Sequence, residues 1–284
     1  MPIAFTEEDF FNMCRGGVDE GSLPYDISHK ILIEGDSWVH HPVLNDIADH
    51  MSYLGGDDFA ILNVAKPGDT SQKMFDKDSH QLKRLEQLIH DERFGYTYDF
   101  IFVSAGGNDI VGPEIASFIK PASSGQSGKN LIDDKEFNKR LRKIATQYYN
   151  VIGIRNKSRI NKQTPLVTNV YSYLKPRRVG SQLFGMEFGE GWVARYLEDY
   201  CQITDAAEQQ EIIIEMLDRF HEVLSGVAEK RANFHVVDGR KVLAPRGKPN
   251  QAMFSDEIHP NFEGFKKVTA NIRKSMQAAG IWPV

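Results

Sequence analysis

The sequence predicts an α/β fold: a five-stranded parallel sheet, doubly wound, with helices on both faces. Three observations predict it. Five short apolar runs are spaced along the chain, helical periodicity fills the gaps between them, and strand and helix signals alternate. Alternation of this kind builds βαβ units with right-handed crossovers.

The runs are Lys30–Glu34, Phe59–Ala65, Asp99–Ser104, Pro165–Tyr171 and Asn233–Asp238. Each is rich in branched or aromatic residues and bounded by turn residues. Runs without polar alternation suit strands buried on both faces. Between the first two, Leu44, Ile47, Ala48, Met51 and Leu54 share a helical face, and Gly55-Gly56 offers a stop. Leu82, Leu85 and Ile89 form the next stripe, and Phe137, Leu141, Ile144, Tyr148 and Ile152 the third. Ile213, Leu217, Phe220, Leu224 and Val227 follow the fourth run; Phe265, Val268, Ile272 and Met276 follow the fifth.

Composition narrows the function. Hydrophobic residues make up 41% and charged residues 26%, enough apolar material for a sizeable core. A net charge of −5 argues against nonspecific nucleic-acid binding, so no nucleic-acid partner is expected. No run of 18 apolar residues exists, so no membrane span is expected. The opening Met1–Phe10 lacks a basic start and apolar centre, which predicts a cytoplasmic chain. Cys14 and Cys201 are too few for a disulfide framework and read as small apolar thiols.

In open parallel sheets, ligands bind beyond the carboxyl ends of the strands. Four such ends carry chemistry. The first strand runs into Gly35-Asp36-Ser37-Trp38, which exposes a hydroxyl where the chain turns toward a helix. The second ends in Asn63 to Gly68-Asp69-Thr70, where Gly68 lets backbone approach a ligand. The third ends in Gly106-Gly107-Asn108-Asp109, where the Asn108 amide has the chemistry to donate to an oxyanion. Before the last helix, Asp256 and His259 stand three apart, so one turn brings carboxylate to imidazole. Taken singly, each block also reads as an ordinary turn or helix cap. Together they place a nucleophile, two oxyanion donors and an acid–base pair at one sheet edge.

These four blocks, in this order, resemble the SGNH hydrolases, also called the GDSL esterase/lipase family. The resemblance spans residues 35–260. It implies a flavodoxin-like, three-layer α/β/α fold and a serine esterase or acylhydrolase that cleaves carboxylic esters through an acyl-enzyme. It implies Ser37 as nucleophile, His259 as base and Asp256 as its orienting carboxylate. The implied oxyanion hole is Ser37 N–H, Gly68 N–H and the Asn108 side chain, with no metal and no cofactor. Two positions depart from the family: Trp38 stands where the name-giving motif has Leu, and Ala65 where many members have glycine. An acyltransferase with the same triad, or a noncatalytic ligand-binding domain of this fold, remains an alternative. The substrate is a small-molecule, carbohydrate or lipid ester; oligomeric state is not readable.

Other residues qualify as substrate contacts. Trp38 adjoins Ser37, and Lys175, Arg177 and Arg178 follow the fourth strand, where they would either attract an anionic ester or form a solvated loop. Gly180–Gly191 interleaves Phe184 and Phe188 with glycines and reads either as a lid or acyl wall or as a buried structural loop. His40-His41 is adjacent to the nucleophile, but neighbouring side chains diverge and no further ligand cluster is visible. His235, inside a strand run, reads as a sheet-face residue. The motif order predicts one domain over residues 1–284, with residues 1–29 as an N-terminal extension and residues 172–205 as a candidate lid insertion.

Overall fold

The structure, a computed structural model, describes residues 3–14, 27–90, 96–183, 186–248 and 250–283. Its sheet consists of β1 (Ile3–Ala4), β2 (His29–Gly35), β3 (Phe59–Asn63), β4 (Phe100–Ser104), β5 (Leu166–Asn169) and β8 (Phe234–Val237). They lie in the order β1-β3-β2-β4-β5-β8, and every pairing is parallel. β3, β4 and β5 are buried along their whole length, as continuous apolar runs require.

The sheet has six strands rather than the five expected. The extra strand is β1, which pairs Ile3 with Ile61 and Ala4 with Leu62. Two residues are too short to leave a pattern, and their strand conformation is imposed by the open edge of β3.

Helices α1 (Glu7–Cys14), α2 (Ile47–Gly55), α3 (Ser71–Phe75), α4 (His80–His90), α5 (Gly107–Ile110) and α6 (Asp134–Lys157) precede β5. After it come the antiparallel pair β6 (Ser181–Leu183) and β7 (Met186–Phe188), then α7 (Ala194–Asp199), α8 (Ala206–Ala228) and α9 (Phe262–Ala278). The path β2 to β3 runs one way along the sheet, and β4, β5 and β8 run the other. Right-handed crossovers therefore put α2 on one face and α4, α6 and α8 on the other. α9 packs on α2, and α6 packs between α4 and α8. The apolar stripes read from the sequence are the buried faces of these helices: Leu141, Ile144 and Tyr148 in α6, Ile213, Leu217 and Phe220 in α8, Phe265 and Ile272 in α9.

Strand order reverses between β2 and β4, where Gly35 pairs with Ser104. Chains leaving those strands diverge to opposite faces, and the gap between them is the natural ligand site. No helix among the described residues is long and apolar enough to cross a membrane.

The opposite end of the sheet is fastened by Arg155, one of the largest fully buried side chains. Its guanidinium donates to the carbonyls of Thr164 (2.7 Å), Asn233 (2.8 Å) and Ala232 (2.9 Å), joining α6 to the starts of β5 and β8. Arg155→Met would fill the space but remove the donors to three carbonyls, of which only that of Asn233 keeps another, the Leu166 N–H (2.9 Å). It is expected to cost about 3 kcal/mol, or roughly 5–10 °C in the melting temperature by calorimetry.

Candidate active site

The site begins at the end of β2. Gly35 lies so close to β4 that a Cβ there would fall 2.5 Å from the Ser104 carbonyl, so only glycine permits this pairing. Asp36 then donates its N–H to Ser104 O (3.0 Å), and the chain turns, presenting Ser37. The Ser37 Oγ lies 2.7 Å from Nε2 of His259. On the other side of the ring, Nδ1 lies 2.7 Å from Oδ2 of Asp256. The second carboxylate oxygen, Oδ1, accepts the backbone N–H groups of Ile258 (2.9 Å) and His259 (2.7 Å). Burial pushes the Asp256 carboxyl up, but the hydrogen bonds and charge of His259, with these two N–H groups, outweigh it and hold it below its usual range. An ionised Asp256 accepts a hydrogen bond from Nδ1–H, which leaves Nε2 as the acceptor for the Ser37 hydroxyl.

The second and third loops are clamped beside Ser37. Lys66 donates its N–H to Gly35 O (2.9 Å), and Asn63 Nδ2 donates to Val39 O (2.7 Å). Asn108 Nδ2 donates to the Asp69 carbonyl (3.0 Å). Its second amide hydrogen, and the N–H groups of Ser37 and Gly68, have no acceptor among the described residues. Asp109 accepts from Ser71 N (2.6 Å) and Ser71 Oγ (2.9 Å), tying the third loop to the start of α3. Gly106 holds φ at 106°, and a Cβ there would meet the Phe220 ring at 2.7 Å.

Beneath the serine, Asp36 accepts from Tyr171 Oη (2.5 Å), Trp38 N (3.0 Å) and Ser104 Oγ (3.1 Å). Burial pushes its carboxyl up to about 6 against the pull of those donors. The Tyr171 hydroxyl in turn accepts Gly107 N–H (3.2 Å), so one phenol links β5 to the first and third loops.

Two aromatic rings flank His259. His41 lies 4.7 Å away, centroid to centroid, at 74°, and Trp192 lies 5.4 Å away at 88°. Burial and the neighbouring His259 lower the His41 pKa to about 4. Donor atoms of His41, Asp256 and His259 come within 4.8 Å of one another, the spacing of a metal site. Their hydrogen bonds oppose that use. His41 Nδ1 accepts from Val43 N (3.2 Å) and Leu44 N (3.0 Å), so the ring proton sits on Nε2. Both Asp256 oxygens and both His259 nitrogens are already engaged.

A profile described as the GDSL-like lipase/acylhydrolase family matches residues 35–267. The chain belongs to that family. Solved structures with a similar fold include a carbohydrate acetylesterase, Est24 from Sinorhizobium meliloti, at 13% identity and a TM-score of 0.51, covering 90% of this chain and 100% of that one. An extracellular lipase from Streptomyces rimosus matches at 12% identity and a TM-score of 0.52, covering 87% of this chain and 100% of that one. At these identities the likeness is one of fold. A comparison with curated proteins returned no match.

The other residues read from the sequence fall in different places in this GDSL-family chain. Trp38 is buried against Tyr171 and Phe265 and lines a cavity beside Ser37. Arg177 donates to the Asp256 carbonyl (2.7 Å), holding the loop that carries the acid–base pair. Arg178 is ringed by Glu190, Glu198 (3.2 Å) and Asp199 (2.8 Å), which neutralise it. Lys175 is exposed, and none of these three lines the cavity. Phe184 lies outside the described residues, as does the side chain of Phe188. His235 sits in the edge strand β8, paired with Val167.

Three residues of the site left no signal in the sequence, Tyr171, Trp192 and Glu257, and His41 was weighed there only as half of a His40-His41 metal pair. Glu257 is the least expected. It is 1% exposed, yet its carboxylate accepts only backbone N–H groups. Oε1 accepts from Arg177 (2.8 Å) and Ala194 (2.8 Å); Oε2 accepts from Val193 (2.7 Å) and Trp192. Burial raises its pKa against those four donors. Glu257 thus ties both ends of the 177–194 segment to the residue beside Asp256. An adjacent Asp-Glu pair could have flagged it, but its partners are more than 60 residues away. Glu257→Gln sets an amide N–H₂ against two of those donors. The expected result, read by limited proteolysis, is faster cleavage within residues 178–193 than in the native chain.

Proposed function

We propose that this chain is a serine acylhydrolase that cleaves carboxylic esters through an acyl-enzyme on Ser37. The observation that carries the reading is the unbroken relay from Ser37 Oγ to His259 to Asp256, with both links at 2.7 Å. Family membership supports an ester substrate, and the relay supports which residues act on it.

In the first half-reaction the Ser37 oxygen attacks the ester carbonyl carbon while its proton passes to His259 Nε2. The carbonyl π electrons move onto oxygen, and the oxyanion accepts from Ser37 N–H, Gly68 N–H and the free Asn108 amide hydrogen. Asp256 stays ionised and offsets the positive charge that develops on the imidazole. When the tetrahedral centre collapses, the bond to the leaving oxygen breaks and His259 returns its proton to that oxygen. The alcohol departs and the acyl group remains on Ser37. In the second half-reaction water gives its proton to His259, its oxygen attacks the acyl carbon, and Ser37 leaves with that proton.

The buried Asp36 and Tyr171 take no part in proton transfer in this scheme. They hold the Ser37 turn and the Gly107 N–H in register, so that the donors are oriented before charge develops.

Ser37→Ala is expected to abolish turnover of a short p-nitrophenyl ester and labelling by a fluorophosphonate probe, with the circular dichroism unchanged. Retained turnover would remove Ser37 from the mechanism. Asn108→Ala is expected to lower kcat about a hundredfold with little change in KM, because its hydrogen bond is made chiefly to the oxyanion.

A further inference from the structure

The proposed mechanism leaves one substituent of the tetrahedral carbon without a place. That carbon carries the Ser37 oxygen, the oxyanion, the leaving oxygen and the acyl chain. The oxyanion faces Asn108, and the leaving oxygen must sit beside His259 to receive its proton. The acyl chain therefore extends on the remaining side.

That side holds a cavity of about 40 Å³, lined by Ser37, Gly107 and Asn108 but not by His259. Its other walls include Trp38, Ile110, Val111, Leu174, Leu217 and Ile258. Pockets that enclose drug-sized ligands run from about 300 to 1,000 Å³, and on the measure used for this cavity a single water needs about 10–15 Å³. The space therefore admits only a few non-hydrogen atoms. The walls are packed and do not yield easily. Tyr171 meets Trp38 edge-on at 4.9 Å and stacks on Phe220 at 5.9 Å, with its hydroxyl held by Asp36. Trp38 also meets Phe265 at 5.7 Å. The Trp that stands where the GDSL motif has Leu thus adds bulk to one wall.

The cavity is also chemically selective. Among its described lining residues none is Lys, Arg or His, and the one carboxyl group is Asp36. A carboxylated acyl group would find no counter-charge there and would pay the full desolvation cost of its anion. The Arg178 guanidinium, already neutralised by three carboxylates, does not reach this wall.

From this geometry we infer that the enzyme takes esters of short, uncharged acyl groups, about two to four carbons, in a small acyl pocket walled in part by Leu217 and Val111. The inference rests on the serine-acylhydrolase reading above. Selection for substrate is then exercised on the acid, while the alcohol leaves on the His259 side.

The test compares kcat/KM for p-nitrophenyl acetate, butyrate and octanoate in the native chain, Leu217→Ala and Val111→Ala. The native chain is expected to favour acetate or butyrate over octanoate at least about a hundredfold. Each truncation widens the wall and is expected to raise the octanoate-to-acetate ratio about tenfold or more. Leu217 is buried in α8 and its loss risks the fold; Val111 is only half-buried and carries the same test. Octanoate turned over as well as acetate by the native chain would overturn the pocket, as would a ratio unmoved in every folded variant. No turnover of any of the three esters by a chain whose Ser37 reacts with fluorophosphonate would also overturn it. Turnover that survives Ser37→Ala is a different failure, since it removes the serine mechanism itself.

Discussion

The hydrogen bond between Ser37 and His259 joins residues 222 positions apart, and the rest of the structure is arranged around making it possible. A contact of that span has a large loop-closure cost and cannot hold itself together. The parallel sheet meets that cost. β2 delivers Ser37 at its carboxyl end, and the chain after β8 returns to deliver His259 in the turn before α9. The Gly35–Ser104 pairing places the first and third loops side by side before any site residue is considered.

The loops beyond the sheet are joined by buried carboxylates. Asp36 holds the first loop to Tyr171, Asp109 holds the third loop to Ser71, and Glu257 holds the 177–194 segment to the acid–base turn. None of the three has an ion-pair partner among the described residues; each is met by hydroxyls or backbone N–H groups instead. Burial raises all three pKa values, so each carboxylate is held at a cost. What the cost secures is direction. An oxygen that accepts two or more N–H groups from separate loops fixes their relative position more tightly than apolar contact would, because hydrogen bonds constrain angle as well as distance. Asp256 is the contrasting case: the hydrogen bond and charge of His259 draw its pKa down.

Much of the fold was legible because apolar burial leaves a period. The five runs coincide with β2, β3, β4, β5 and β8 to within one or two residues, and the stripes through Leu141, Leu217 and Phe265 are the buried faces of α6, α8 and α9. β1 was not legible: Ile3-Ala4 has too few residues for a period, and its pairing with β3 is a tertiary event. The site was legible where its signal was local. Gly35-Asp36-Ser37, Gly106 to Asp109, and Asp256 to His259 each carry their geometry within a few residues. Tyr171, Trp192 and Glu257 were not, and His41 was visible but not its place against His259, since each acts through a partner on another loop. The Arg177-Arg178 pair shows the converse. Its charge was visible, but the carboxylates that neutralise Arg178 come from Glu190, Glu198 and Asp199, which adjacency in sequence does not reveal.

By itself, the sequence determined the α/β alternation, the order of the four motifs and the side chains present at each strand end. These follow from hydrophobic period and from turn chemistry, both of which act over a few residues. Only the tertiary structure decided which strand ends are neighbours, which carboxylates clamp which loops, and how much space remains beside Ser37. The physical reason is packing. The cavity volume is what is left after Trp38, Tyr171 and Leu217, from three distant parts of the chain, have settled against their neighbours, and no local pattern encodes that remainder.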